Sequence, residues 1–170
     1  MKRIIFVLMI FLTGVINAQE GPTGSVGYFT IKTSNEYVID GMKLANNHIG
    51  IQFGSFFTDN WGAEMDCDYG FKNNDIYTLR LGVNVIYQYI GQSDVTPYIK
   101  AGIAHKSYKI SGGKTLWQGC DIKAGVGLNI PLSRSISMNL GTNVSNCIND
   151  NYNSWNNTIL EFEGGICFLI

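Results

Sequence analysis

The sequence predicts an all-β fold, an eight-stranded antiparallel up-and-down barrel that crosses a membrane with its strands. Three observations predict this fold. Residues 61–71 alternate without a break between apolar side chains and polar or small ones, as a strand does when its two faces meet different media. The same alternation recurs in seven further segments. An export signal precedes all of them.

The export signal occupies residues 1–18. Lys2 and Arg3 precede an apolar run at residues 4–12, and Ala18 provides the small residue expected at a cleavage site. The run is too short for a membrane-spanning helix, which needs about 20 residues. We therefore expect cleavage after Ala18, so that residues 19–170 form the barrel. An uncleaved anchor is the alternative.

Composition and charge narrow the class of protein. The chain has 20 glycines but only 3 prolines, which together with 12% aromatic residues favours strands and disfavours disorder. Without Lys2 and Arg3, 10 basic residues remain against 13 acidic ones, so the formal charge changes from -1 to -3. No basic patch indicates a nucleic-acid partner. No apolar stretch after the signal is long enough for a spanning helix.

The alternating segments place the strands in order along the chain. Short links are predicted at residues 59–60, 91–95 and 132–134, and longer polar links at residues 34–46, 72–74, 111–114 and 149–156. Outer-membrane barrels show this asymmetry, with short periplasmic turns and longer outside loops. An even number of strands returns both termini to the periplasmic side. The predicted strands are 24–33, 47–58, 60–71, 75–89, 96–110, 115–131, 135–148 and 157–170.

The first strand leaves its register open. Asp40 and Gly41 form a two-residue hairpin signal that would pair residues 37–39 with residues 42–44. Continued without interruption, that register places Lys32 opposite Ile49 on the lipid-facing side. Two alternatives follow: Lys32 snorkels to the outer interface, or a β-bulge returns it to the lumen.

Charged residues on the inward-facing side of the strands are predicted to fill the lumen. A hairpin centred near Asn73 places Arg80 opposite Asp66 or Asp68. Because an unpaired buried charge costs several kcal/mol, we expect these residues to form a connected network. An eight-stranded barrel is just wide enough for its own side chains, which favours a polar plug over a gate for small ions. The predicted network comprises Glu64, Asp66, Asp68, Arg80, Lys100, Lys106, Asp121, Lys123, Glu161 and Glu163.

The four cysteines do not predict disulfides or a metal site. Strand parity places Cys67 and Cys120 outward on strands that are not neighbours, and it places Cys147 and Cys167 near opposite ends of adjacent strands. No pair meets the approach of about 7 Å between alpha carbons that a disulfide requires. The spacing of the cysteines and histidines matches no metal-ligand pattern. We expect no metal and no cofactor.

Three segments carry a resemblance to a known family. Residues 163–170 resemble a C-terminal assembly signature through Glu163, Gly165, Phe168 and Ile170, although an aromatic residue is commoner at the last position. Residues 96–104 and 60–64 resemble the fifth and third strands of the same proteins. On these features the mature chain resembles the small eight-stranded outer-membrane β-barrels of the OmpA and OmpX type. The resemblance implies a bacterial outer-membrane location, contact with lipids and recognition of the last strand by the barrel assembly machinery. We expect a monomer.

Two alternatives come from other classes of protein. A soluble lipocalin-like barrel has the same alternation with an apolar interior and a polar exterior. An outer-membrane lipid A hydrolase is the second alternative, because His105 and Ser107 resemble residues of a deacylase family of this size. Tyr108 stands where that family has asparagine, and no outward-facing acid is predicted near them. A hydroxyl nucleophile needs an adjacent base and an orienting acid.

The sequence therefore predicts a non-enzymatic outer-membrane barrel, with no catalytic residues. Its outward loops are expected to contribute to envelope integrity or to contact an extracellular partner or surface. Loops are where such a scaffold carries specificity, and residues 36–43 and 149–156 are the best candidates.

Overall fold

A computed structural model of the chain describes residues 26–39, 43–72, 76–91, 94–110, 115–147 and 158–170. These residues form eight antiparallel strands, each hydrogen-bonded to the next, and the last pairs with the first to close a barrel. The predicted export signal lies outside the described residues. The strands are β1 (Val26–Val38), β2 (Lys43–Phe56), β3 (Trp61–Lys72), β4 (Ile76–Gln88), β5 (Thr96–Ile110), β6 (Thr115–Pro131), β7 (Ile136–Cys147) and β8 (Ile159–Leu169).

The two ends of the barrel differ. Both ends of the described chain, Val26 and Ile170, lie at one end, where Ile170 N donates to the Gly27 carbonyl at 2.9 Å. Three short turns connect β2 to β3, β4 to β5 and β6 to β7 at this same end. We call it the inner end and the opposite end the outer end. No helix among the described residues is long and apolar enough to cross a membrane.

The predicted strand bounds agree with the structure to within two residues except where β1 meets β2. β5 and β6 have the predicted bounds. β1 continues to Val38 and β2 begins at Lys43, so residues 34–36 and 45–46, which were predicted as part of a long link, belong to strands, whereas the link at residues 40–42 lies outside the described residues. The prediction failed because polar residues occupy both faces of this stretch and hide its alternation. The inward residues Ser34 and Glu36 are satisfied by partners inside the lumen.

A β-bulge resolves the register of the first hairpin. Tyr37 pairs with Leu44 and Val38 with Lys43, as the hairpin signal predicts, but Glu36 pairs with Asn46. The ladder therefore skips Ala45, and one extra residue on β2 shifts all pairs below it. Lys32 consequently pairs with Gly50 and points into the lumen, where it is 3% exposed. Of the two alternatives, the bulge is correct.

The outer surface is apolar and the interior is charged. Side chains such as Ile51, Leu81, Val83, Ile103 and Val126 are exposed around the barrel. The alternate positions carry buried charged and polar residues. This polarity is the reverse of that in a soluble ligand-binding barrel, so the lipocalin-like alternative is wrong.

Aromatic side chains form two bands on the outer surface. Towards the inner end, the Trp61 ring lies 4.9 Å from Tyr87, and Phe29 lies 4.9 Å from Phe53. Towards the outer end, the Tyr69 ring lies 5.8 Å from Tyr77, and Tyr37 lies 5.9 Å from Phe162. Aromatic girdles at these two levels are typical of the two membrane interfaces of a transmembrane barrel. The aliphatic surface between them is the part that faces hydrocarbon.

Placing a charge on this aliphatic surface should destabilise the barrel. Val83 is half exposed and lies between the two aromatic bands. We expect Val83→Arg to lower the free energy of unfolding in lipid vesicles by about 2–4 kcal/mol, because the guanidinium would enter hydrocarbon. The measurement is urea titration of the folded fraction, read as the band that migrates differently in unboiled electrophoresis. Ser133→Arg, on an exposed inner-end turn, is the matched control and should change little. Equal stability of Val83→Arg and wild type would contradict a lipid-facing surface.

Candidate functional site

The lumen holds the largest group of interacting polar side chains among the described residues. All ten residues predicted for the network point inward and are buried, none more than 7% exposed. Two further buried charges, Lys32 and Glu36, complete seven carboxylates and five cations. We call these twelve the lumen charge network: Lys32, Glu36, Glu64, Asp66, Asp68, Arg80, Lys100, Lys106, Asp121, Lys123, Glu161 and Glu163.

Arg80 on β4 is the centre of the network. Its Nε and Nη2 donate to Asp68 Oδ2 on β3 at 2.8 and 2.6 Å. Its Nη1 and Nη2 donate to the two oxygens of Glu161 on β8 at 3.0 and 2.5 Å. Nη1 also donates to Glu36 Oε1 on β1 at 3.1 Å. One rigid guanidinium therefore binds three carboxylates, each from a different strand, which the forked geometry of arginine permits.

Glu36 organises the part of the lumen nearest the outer end. Lys106 Nζ donates to its two oxygens at 2.7 and 2.8 Å, and Asn46 Nδ2 donates at 3.0 Å. His48 Nε2 lies 3.1 Å from the same carboxylate. Gly70 stands beside His48, and a Cβ at this glycine would lie 2.5 Å from the imidazole ring. The glycine is what leaves space for the histidine.

Asp66 and Lys32 occupy the middle of the lumen. Lys123 Nζ donates to Asp66 Oδ1 at 2.6 Å, and Asn84 Nδ2 donates to the same oxygen at 2.7 Å. Lys32 Nζ lies 3.3 Å from Asp68 Oδ1 and 3.7 Å from a Glu163 oxygen. This lysine therefore connects the group around Arg80 with the carboxylates nearer the inner end.

The inner part of the network consists of Lys100 and two glutamates. Lys100 Nζ donates to Glu163 Oε1 and lies 3.7 Å from Glu64 Oε1. Glu64 also accepts hydrogen bonds from Tyr28 Oη at 2.7 Å and Asn84 Nδ2 at 2.9 Å. Burial of these charges is compatible with folding because each finds partners inside the barrel.

Two tyrosines lie across the lumen on the inner side of the charges. Tyr28 packs over Gly54, where a Cβ would lie 2.2 Å from the ring, and Tyr98 packs over Gly127, where a Cβ would lie 2.3 Å from it. Tyr98 Oη donates to Asn139 Oδ1 at 2.8 Å. A cavity of about 350 Å³ lies beyond Tyr28 towards the inner end. The side chains that fill the lumen therefore leave a cavity at its inner end.

The predicted network residues differ in their contacts. Arg80 stands opposite Asp68, one of its two predicted partners, because β3 and β4 pair about residue 74. Asp121 is buried at the outer part of the lumen, where the Cys147 thiol hydrogen-bonds to it from β7. The four cysteines have free thiols. Among the residues that the structure describes, no group of three or more His, Cys, Asp or Glu is arranged to hold a metal ion.

Sequence reasoning missed Glu36, His48, Tyr28 and Tyr98 as lumen contacts. Glu36 lay in the segment predicted as a loop. In the structure its position continues the inward parity of Thr30 and Lys32, but the sequence left the face of Lys32 open, so this parity identifies Glu36 only once the bulge is known. The tyrosines carried no such signal, because their role depends on glycines from neighbouring strands.

Glu163, Gly165 and Phe168 of the predicted assembly signal lie on β8, the strand that closes the barrel, and Ile170 follows directly after it. Glu163 points into the lumen, and a Cβ at Gly165 would lie 2.6 Å from the Ile31 carbonyl oxygen. Phe168 lies on the outer surface with its ring 6.3 Å from Phe29, and Ile170 is 61% exposed at the inner end. The apolar residues of the signal thus face outward, where another protein can contact them.

His105 and Ser107 share the outward face of β5. His105 is exposed, and Ser107 is 5% exposed between the neighbouring strands. Asp121 stands opposite Ala104 and points to the lumen, on the other face of the sheet. Every acidic residue on a described strand points inward. No described carboxylate is therefore placed to orient His105 as the acid of a catalytic triad would.

Comparison with known proteins gives one family and several solved structures of the same fold. The profile of the family described as "Outer membrane protein beta-barrel domain" matches residues 5–162. None of the curated proteins compared with the chain matches it significantly.

Three solved structures are similar to this chain. Neisserial surface protein A has a TM-score of 0.68 and 15% identity, covering 88% of this chain and 99% of its own. The N-terminal barrel domain of Pseudomonas aeruginosa OprF has a TM-score of 0.63 and 14% identity, covering 84% and 97%. Ail, the attachment invasion locus protein of Yersinia pestis, has a TM-score of 0.61 and 15% identity, covering 87% and 99%. At these identities the similarity establishes the fold.

Removing the Arg80 guanidinium should destabilise the folded barrel. Arg80→Ala leaves three buried carboxylates without their shared partner, and we expect the free energy of unfolding to fall by about 3–5 kcal/mol. Urea titration in lipid vesicles measures this loss. Arg134→Ala, on an exposed turn, is the matched control and should have little effect. A double-mutant cycle with Asp68→Ala isolates the pair, and a coupling energy near zero would contradict the network.

Proposed function

The chain belongs to the family of outer membrane protein beta-barrel domains, and we propose that it acts in the bacterial outer membrane as a non-enzymatic scaffold. Its lumen is closed to solutes by the lumen charge network. Its outer-end loops support envelope integrity or contact an extracellular partner or surface. The barrel itself is surrounded by outer-membrane lipids.

The contact between Arg80 and its three carboxylates is the observation that carries this proposal. These contacts cross the barrel interior from β4 to β1, β3 and β8. Lys32 and Lys100 continue the ion pairs towards the inner end. A conducting lumen needs a continuous column of water, whereas most of these charged groups are engaged in ion pairs with one another. The network is therefore better suited to holding the wall together than to passing ions.

The outward face of β5 favours a scaffold over a lipid A hydrolase. A serine nucleophile needs its base oriented by an acid, and the described acids near His105 lie on the other side of the sheet. His105 and Ser107 lie towards the outer end, where small polar side chains at a membrane interface require no catalytic explanation. We therefore propose no enzymatic activity.

The loops at the outer end are the proposed sites of specificity. Three of the four outer-end connections, residues 73–75, 111–114 and 148–157, lie outside the described residues, as does the tip of the first hairpin at residues 40–42. Glu36 belongs to the lumen, so the first candidate loop is shorter than residues 36–43. Loops held on a rigid barrel are where binding residues concentrate.

The last strand is the proposed contact with the barrel assembly machinery. Phe168 and Ile170 present apolar side chains outward near the inner end, which leaves them accessible to that machinery. After β8 pairs with β1, the barrel has no free edge for strand addition between copies. We accordingly propose a monomer.

A closed lumen predicts low conductance in planar lipid bilayers. Wild-type protein should give no steady ion current above that of protein-free bilayers, because the ion pairs leave no water-filled path. Arg80→Ala, which removes the central group, should raise the current, and Val83→Ala on the lipid-facing surface serves as control. A stable wild-type current equal to that of Arg80→Ala would contradict a closed lumen.

A scaffold role predicts that lipid A is unchanged by the protein. Mass spectra of lipid A should be identical in cells that lack the gene, cells that express wild type and cells that express Ser107→Ala.

The same strains, with a further variant lacking residues 151–155, are tested for detergent sensitivity and for binding to surfaces. Rescue of either property by Ser107→Ala as well as by wild type supports the scaffold. Loss of an acyl chain with wild type but not with Ser107→Ala would establish the hydrolase instead.

A further inference from the structure

The inner end of the barrel holds an open-mouthed chamber that the scaffold role does not use. Its volume is about 350 Å³, within the range of small-molecule sites. Tyr28 and Ile86 form its buried floor, being 6% and 3% exposed. The chamber opens at the end that carries the short turns, which is the periplasmic end in outer-membrane barrels. We call it the inner chamber.

The inward-facing positions of the strands change from charged residues in the middle of the lumen to apolar residues at the inner chamber. Val26, Phe56, Ile86 and Leu169 follow the parity of the lumen residues, yet all four are apolar and line the inner chamber. Val26 and Leu169 are 42% and 43% exposed. Leaving apolar side chains in contact with water gains nothing for folding, since the gain comes from removing them from water. An apolar ligand body would cover this surface.

The charged residues that line the inner chamber are all acidic. Asp59 and Asp94 stand on the turns β2–β3 and β4–β5 at its mouth, and both are exposed. No lysine, arginine or histidine is among the described residues of its lining. The polar groups further in, such as Thr96 and Asn129, are neutral. Arg134, exposed on the β6–β7 turn at the same end, lies outside this lining and offsets part of the negative charge, so the two carboxylates favour a cation over an anion at the mouth.

We propose that the inner chamber binds a small organic cation with an apolar body, which enters from the periplasm. The apolar body lies against Ile86, Phe56 and Leu169, and the positive charge lies at the mouth between Asp59 and Asp94. This inference goes beyond the scaffold role, which needs no ligand at the inner end. Binding in the inner chamber is also independent of the scaffold role, because the lumen charge network lies on the other side of Tyr28.

Binding of three matched probes tests the proposal. The probes are benzyltrimethylammonium, benzyl alcohol and phenylacetate, which share a ring and differ in charge. The full-length protein is placed in lipid nanodiscs, because detergent would enter an apolar chamber. Binding is followed by nuclear magnetic resonance of the methyl groups of Ile86 and Leu169, with Val83 on the outer surface as the reference. We expect saturable shifts for the cation, binding about tenfold weaker for the alcohol, and none for the anion.

Two sets of variants separate the chamber from non-specific binding. Asp59→Asn with Asp94→Asn should make the cation bind about as weakly as the alcohol, a loss of about tenfold, without affecting the lumen. Thr96→Trp fills the chamber and should abolish binding of all probes. Ile130→Trp, an outward position at the same end, is its matched control and should bind like wild type.

Several outcomes would overturn the proposal. Equal binding of cation and anion, or unchanged binding in Thr96→Trp, would show that the probes partition into lipid. Binding that is seen only in a variant beginning at Val26 would also contradict it, because the chain's own preceding residues would then be the occupant. A conducting lumen would contradict the proposed function but leave these results unaffected, so the two failures are distinguishable.

Discussion

The contact of one buried guanidinium with three carboxylates is the constraint on which the rest of this barrel depends. Arg80 joins β4 to β3, β8 and β1, and therefore connects the first and last strands to the middle of the sheet. Taking charges out of water is costly, and only close pairing inside the lumen offsets that cost. The strand order, the register and the glycines of the inner wall all serve to bring these charges within hydrogen-bonding distance.

The glycines show how narrowly the interior is filled. A Cβ at Gly82 would lie 2.7 Å from the Asp66 carboxylate oxygens, and one at Gly50 would lie 1.9 Å from Asp68. An eight-stranded wall leaves too little space for a long charged side chain from every strand at one level. Glycine on the neighbouring strand provides that space. The high glycine content of the sequence is therefore a requirement of the charged lumen, as well as of the turns.

Much of the fold could be predicted from the sequence because the outer surface must be apolar along most strands. β5 and β6 have strong alternation and were predicted with their exact bounds. The pairing of Arg80 with Asp68 followed from the centre of one hairpin. The extension of β1 and β2 was missed because polar residues there face both ways, and the position of Lys32 depends on a bulge that parity does not reveal. The inner chamber could not be predicted, because inward apolar residues at strand ends resemble ordinary turn packing until the barrel is closed.

The most direct test of this account is the nuclear magnetic resonance spectrum of the Arg80 guanidinium, recorded on the protein in lipid nanodiscs at neutral pH. Assignment follows from comparison with Arg80→Lys. The account predicts separate, slowly exchanging signals for the Nε and Nη protons, because hydrogen bonds to Asp68, Glu161 and Glu36 prevent rotation and exclude water. A single averaged signal that exchanges rapidly with water would contradict it, since the lumen would then be hydrated and the central ion pairs unformed.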